Sequence, residues 1–274
     1  MAYDAVDYET LTLERRGQIA VLTLNRPDRL NAISQGLRRE VEQAVEAVRG
    51  DDEARALVLT GAGRGFCAGA DLLGTGPVAT GRPEEPTSQA GRTDEMGWVG
   101  RWAMMWRGFD KPIVGAINGV AAGAGMSTAM ACDVRLGSPA ARFKSVFIER
   151  SLSPDSGLSY FLPRVVGYAA AADIIFTSRT VDAEEALRIG LLNRIVPAES
   201  LLDEAVAYAE QMAQWPPLAL RMSKRVLQHN VDAEIEDALR YETVGLGYAR
   251  KAPNDVKESR AAFLEKRKGV YTGT

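Results

Sequence analysis

The chain has 274 residues, 46% of them hydrophobic and 25% charged, with a formal net charge of -3, an ordinary composition for a soluble protein that buries a sizeable core. The slight acidity gives no pull toward nucleic acid. Two cysteines, Cys67 and Cys132, are too few for a disulfide framework; sequence leaves one bridge open, and a reduced cytosolic setting is the simpler expectation.

The N-terminal stretch MAYDAVDYETLTLERR is charged throughout and carries no signal-peptide core. No apolar run reaches the roughly 18 residues of a membrane span, so a soluble cytoplasmic protein is expected. Short aliphatic, β-branched runs bounded by Gly, Pro or Asn predict strands at Thr10–Glu14, Ile19–Leu24, Ala56–Thr60 and Ile113–Asn118. Between the second and third lies a helix with Ser34 as its N-cap. It carries Leu37, Val41, Ala44, Val45 and Val48 on one face and ends near Gly50. Alternating strands and helices point to an α/β core.

Residues 74–97 are rich in Gly, Pro, Ser and Thr and have no apolar period; loops this long are often functional lids. A helix follows from about Trp98 to Phe109. On it Trp98, Trp102 and Trp106 form a stripe that serves either as core or as the roof of a pocket. Helical patterns then recur at Ala183–Ile189, Leu201–Met212, Leu218–Gln228, Ala233–Ala249 and Val256–Lys266, punctuated by Gly190, Pro197, Pro216, Pro217 and Pro253. The chain therefore divides into an α/β part, residues 1–190, and a helical part, residues 191–274. The one histidine, His229, sits in a helical pattern as a surface or packing residue. This argues strongly against a histidine-based triad and a histidine-rich metal site, leaving carboxylates, hydroxyls and backbone groups for any chemistry.

Two glycine-rich turns stand out. TGAGRGFCAGADL (60–72) lacks the third glycine of the dinucleotide fingerprint, since Phe66 stands in its place, and lacks the Gly-Lys-Ser/Thr ending of a P-loop. GVAAGAGMSTA (119–129) joins a strand to a helix start. Glycine there serves either close strand–helix packing or the approach of free N–H groups to an anion.

NRPDRLNA (25–32), LTGAGRGFCAGADL (59–72), KPIVGAINGVAAGAG (111–125) and FLEKRKG (263–269) together resemble the crotonase family, the enoyl-CoA hydratase/isomerase superfamily, in order and over nearly the whole chain. The resemblance implies a crotonase-like spiral of ββα units with a helical C-terminal trimerisation region, assembled as a homotrimer or dimer of trimers. It also implies an acyl-CoA thioester substrate, with CoA as part of the substrate and no further cofactor or metal. The backbone N–H groups of Ala70 and Ala124 would form its oxyanion hole. Around the substrate it would place Arg29, Ala68, Asp71 and Leu72, Asp71 serving equally well as a helix N-cap. Phe263 and Lys266 match positions that reach a neighbouring subunit's CoA.

The hydratases of this family use two glutamates. Matched without gaps, their positions here hold Ser127 and Phe147, which would shape the substrate pocket but supply no carboxylate. A local register shift would instead bring in Glu149. A different acid, Asp155 in SLSPDSGLSYFLPR, is either an ordinary turn residue or an acid/base; the segment resembles the L-x-P-D-x-G stretch of the ring-1,2-epoxyphenylacetyl-CoA isomerase branch. One carboxylate suffices for a double-bond shift, whereas hydration must also activate water. The expected function is an acyl-CoA double-bond isomerase, with an enoyl-CoA hydratase and a non-catalytic acyl-CoA-binding protein as alternatives.

Overall fold

The computed structural model describes Tyr3, residues 7–73 and residues 88–274. Strand β1 (Leu11–Arg16) turns at Gly17 into β2 (Ile19–Leu24), its antiparallel partner. From β2 the sheet continues in parallel through β3 (Ala56–Gly61), β5 (Ile113–Ile117), β7 (Val134–Gly137) and β10 (Arg194–Ile195). A smaller sheet holds β4 (Gly65–Cys67), β6 (Val120–Ala122), β8 (Arg142–Lys144) and the antiparallel β9 (Val181–Asp182). Each of β3, β5 and β7 is followed within a few residues by a strand of the smaller sheet. After β6 the chain goes directly into a helix. This is the repeated ββα unit.

The period of two along the parallel strands divides the core. Ile19, Val21, Ala56, Val58, Val114 and Ala116 face α8 (Leu201–Ala213) through its Leu201, Ala205 and Ala209. Their neighbours Ala20, Leu22, Leu57, Leu59, Ile113 and Ile117 face the opposite layer. That layer includes α1 (Gln35–Gly50), α3 (Gly97–Arg107), α4 (Ala124–Ala131), α5 (Leu158–Val166) and α6 (Tyr168–Thr177). Strands covered on both faces read as continuous apolar runs, which is why β3 is buried along its whole length. Helix α1 follows its pattern: the Ser34 hydroxyl accepts from the Leu37 N–H at 3.1 Å, and Leu37, Val41, Ala44, Val45 and Val48 are buried.

The remaining helices are α2 (Gln89–Arg92), α7 (Ala183–Ile189), α9 (Pro217–Asn230), α10 (Ile235–Ala249) and α11 (Pro253–Glu265). The sheet runs past residue 190, since β10 pairs with β7 and α8 covers one face. Of the expected loop 74–97, residues 74–87 lie outside the described residues, and Gln89–Arg92 form one helical turn. Trp102 and Trp106 are each 1% exposed and meet edge to face, their ring centroids 5.7 Å apart, so these two belong to the core. Trp98 is half-buried under the Arg38 guanidinium. His229 packs flat on Tyr241. Cys67 and Cys132 are both free and buried, and burial raises each thiol to about 12. No described helix is long and apolar enough to cross a membrane.

Candidate active site

The first glycine-rich turn leaves β4 and is held by the loop before α1. Asn31, fully buried and at φ 56°, donates its amide to the carbonyls of Ala62 and Gly65 at 3.0 and 2.8 Å and accepts from the Arg26 N–H at 2.8 Å. The Ala68 N–H donates to the Leu30 carbonyl at 2.9 Å. The Ile33 N–H donates to Gly69 at 2.7 Å, and the Asp71 N–H donates back to Ile33 at 3.1 Å. This ladder passes over Ala70. Among the described residues its N–H has no acceptor.

The second turn leaves β6, the parallel neighbour of β4. The Gly123 N–H donates to the Lys144 carbonyl at 3.0 Å, and the Gly123 carbonyl accepts from the Ser127 N–H at 3.0 Å. Ala124 is the first residue of α4, where an N–H has no partner within the helix. No described residue accepts from it either.

Two glycines let these turns meet. A Cβ on Gly125 would overlap the Cys67 carbonyl, so only glycine allows α4 to lie this close to β4. Gly69 has φ 90°, and a Cβ there would stand 2.7 Å from the Ala122 oxygen and 3.3 Å from the Ala124 nitrogen. Packing and donor presentation are therefore linked: the close approach brings together the two turns that carry these N–H groups. Such a pair can stabilise an oxyanion developing on a bound carbonyl.

The carboxylates nearby differ sharply. Asp155 is half-buried in the turn before α5, and its Oδ1 accepts from the Ser156 hydroxyl at 2.9 Å. Burial pushes its carboxyl above the ordinary value, and the Ser156 hydrogen bond offsets only part of that. It forms no ion pair with a described residue. Glu149 is exposed and paired with Lys144 at 2.7 Å. The Lys144 ammonium beside it holds its carboxyl low. Burial favours the neutral form of Asp71, but Arg26 at 2.8 Å and the Leu73 N–H outweigh it and keep this carboxyl low.

Ser127, expected at the substrate, is fully buried, with its hydroxyl 3.1 Å from the Asp155 carbonyl oxygen and 3.3 Å from that of Gly123. Phe147 is buried beside Gly123, its Cζ 4.0 Å from where a Gly123 Cβ would stand. The Asp71 carboxylate accepts from the Leu73 N–H and clamps the Arg26 loop to the first turn, with Leu72 exposed beyond it. Arg29 is exposed on the same loop as Arg26. Phe263 and Lys266 are exposed at the end of α11. Among the described residues no group of His, Cys, Asp and Glu is arranged to hold a metal. Sequence reasoning gave Asn31 no role, although it lies in the NRPDRLNA stretch (25–32) that carries the resemblance.

Two parallel strands, each leading into a glycine-rich turn with a free N–H, stand inside a spiral of ββα units, and the chain belongs to the enoyl-CoA hydratase/isomerase family, whose model matches residues 14–274. A probable enoyl-CoA hydratase of Mycobacterium tuberculosis is 38% identical over 94% of this chain and 90% of its own length. A short-chain-enoyl-CoA hydratase of Clostridium acetobutylicum is 33% identical over 96% and 97% of the two chains. Among solved structures, a probable enoyl-CoA hydratase/isomerase from Mycobacterium abscessus superposes with a TM-score of 0.83 at 36% identity, covering 95% of this chain and 98% of that one. An enoyl-CoA hydratase from Bacillus anthracis gives 0.87 at 28% identity, covering 97% and 100%. The protein is an enzyme of this family.

Proposed function

We propose that the protein is an acyl-CoA double-bond isomerase that uses Asp155 as its single acid/base and the N–H groups of Ala70 and Ala124 as its oxyanion hole. The observation that carries this reading is that Asp155 is half-buried with no cation paired to it among the described residues, so burial raises its carboxyl, while Asp71, Asp110 and Glu149 are held low by cations or hydrogen bonds. Its turn also touches α4 one helical turn from Ala124, through Ser127.

In this mechanism the thioester oxygen of a 3-enoyl-CoA sits between the two N–H groups. The Asp155 carboxylate takes a proton from C2, and the resulting dienolate keeps its charge on the bound oxygen. The protonated carboxyl then returns the proton to C4, leaving the 2-enoyl product. One group handles both transfers and no water is activated. A raised pKa makes the carboxylate a stronger base for a weakly acidic carbon. Each backbone donor would contribute about 3 kcal/mol to the transition state.

CoA enters as part of the substrate, with Arg29, Ala68, Asp71 and Leu72 along its path and Phe147 against the acyl end. Phe263 and Lys266 would serve a neighbouring subunit in a homotrimer or dimer of trimers. The apolar side chains exposed on α9 and α10, among them Leu227 at 70% and Ile235 at 69%, support such an assembly. A cytoplasmic enzyme needing no metal or further cofactor completes the reading.

The second reading is hydration, favoured by the names of the relatives. Against it stands the occupation of both expected glutamate positions by Ser127 and Phe147. Turnover of a 3-enoyl-CoA and of crotonyl-CoA by wild type and Asp155→Ala separates the two. Isomerisation of the first alone, lost in a folded Asp155→Ala, is the expected result. Hydration of crotonyl-CoA that survives the substitution would overturn the assignment, and acyl-CoA binding without turnover would leave a binding protein.

A further inference from the structure

We infer that Ser127 and Ser156 are positioning residues for Asp155, the first anchoring its main chain to the helix that carries the Ala124 donor and the second orienting one carboxyl oxygen so that the other faces the substrate. The inference rests on the reading of Asp155 as the base.

The geometry is a brace with two arms. Ser127 lies one turn into α4, and its hydroxyl has two main-chain carbonyls within reach, Asp155 at 3.1 Å and Gly123 at 3.3 Å. Gly123 is the residue from which the Ala124 N–H emerges. The hydroxyl therefore bridges the oxyanion turn and the base turn. It has a single proton, so these carbonyls share it. A side chain standing where hydratases carry a glutamate would thus hold the replacement base in place.

The second arm depends on an unusual backbone. Ser156 is 3% exposed and sits at φ 51°, a region that costs a non-glycine residue about 1–3 kcal/mol. There its hydroxyl turns back onto Asp155 Oδ1 at 2.9 Å. Among the described residues Oδ2 has no hydrogen-bond partner. A serine that only stabilised its turn would bond the main chain. This one bonds the carboxylate, and an O–H donor favours the charged form.

Among the described residues no other group shares the task. α4 carries no charged residue. On α3, Arg101 is paired with Asp94, and Arg107 donates to the Gln228 carbonyl at 2.6 Å. On α5, Arg164 is paired with Asp232 at 2.6 Å. Before the turn, Glu149 is paired with Lys144, and Arg150 is exposed. The opposing influences on Asp155 are burial and the Ser156 hydroxyl.

The test follows the Asp155 carboxyl by 13C NMR titration in wild type, Ser156→Ala and Ser156→Gly, alongside isomerase kinetics. Glycine relieves the positive φ, so at least one variant should keep its fold. Both should titrate at higher pH than wild type, and on the acid limb kcat/KM should fall about threefold to tenfold, the effect of losing a charge-assisted hydrogen bond. Ser127→Ala should lower kcat about tenfold, the effect of a misplaced catalytic group, with KM within about twofold and the titration unmoved. An unmoved titration in both Ser156 variants overturns the role of Ser156, and an unchanged kcat in Ser127→Ala overturns that of Ser127. Full activity in Asp155→Asn would instead remove the base assignment itself, whatever the serine variants do.

Discussion

The indole N–H of Trp102 donates to the Thr128 hydroxyl at 2.8 Å, and that hydroxyl donates in turn to the Ala124 carbonyl at 2.8 Å. All three residues are buried. The chain of bonds ties α3 to the first turn of α4, beneath the residue that presents one of the two free N–H groups. Trp102 thus acts on the turn from within the core.

Thr128→Val tests that link. Valine fills nearly the same space but leaves the Trp102 N–H buried without an acceptor, which costs about 1–3 kcal/mol. Urea denaturation should show that loss as a lower midpoint with an unchanged slope. A loss below a few tenths of a kcal/mol would mean that the indole finds another partner.

Gly125→Ala probes the contact that joins the two turns. Its Cβ meets the Cys67 main chain, which cannot swing away as a side-chain tip can. The strands must separate, at a cost of about 1–3 kcal/mol for overpacking. If one donor is thereby misplaced, kcat should fall by about two to three orders of magnitude. A variant with lowered stability and full kcat would show that the donor pair does not depend on this spacing.

How much of this could be read from the chain depends on length and chemistry. Helix α1 was legible because five apolar residues keep one face over about three turns and Ser34 caps them. Strands β2 and β3 were legible as aliphatic runs. β4, β6 and β8 have three residues each, too few for any period to register. α5 contains Pro163, which reads as a break. α6, YAAAADIIFT, is apolar nearly all round and gives no face. At the site, the glycine turns were found because only glycine permits their approach. Asn31 was hidden because its role lies in bonds to residues 31 and 34 positions away. The second arm of the serine brace was equally hidden, since nothing in SPDSG says that Ser156 turns back onto its neighbour.

The exposed apolar side chains of the C-terminal helices should make assembly sensitive to charge. Ile235→Glu combined with Leu227→Glu alters two residues at 69% and 70% exposure, so neither harms the fold of a single chain. Sedimentation should show an assembled wild type and a smaller variant of normal helicity. An unchanged mass in the double variant would place the interface elsewhere.

Asp155→Asn should expose a conflict between stability and chemistry. The folded protein holds this carboxyl above the ordinary 3.8 of an unfolded aspartate, chiefly through burial. Below 3.8 both states are protonated, and the group costs nothing. As pH rises from there through the folded value, the unfolded chain releases its proton first, so stability falls. Asparagine has the same shape, still accepts the Ser156 hydrogen bond and never ionises. The variant should therefore melt higher than wild type at neutral pH, with the gap closing as pH falls toward 3.8, while isomerase activity disappears. Thermal melts of the two proteins across this range measure the effect directly. A gap that persists unchanged at low pH would mean that the gain comes from packing and that burial of the charge is not what destabilises the wild type.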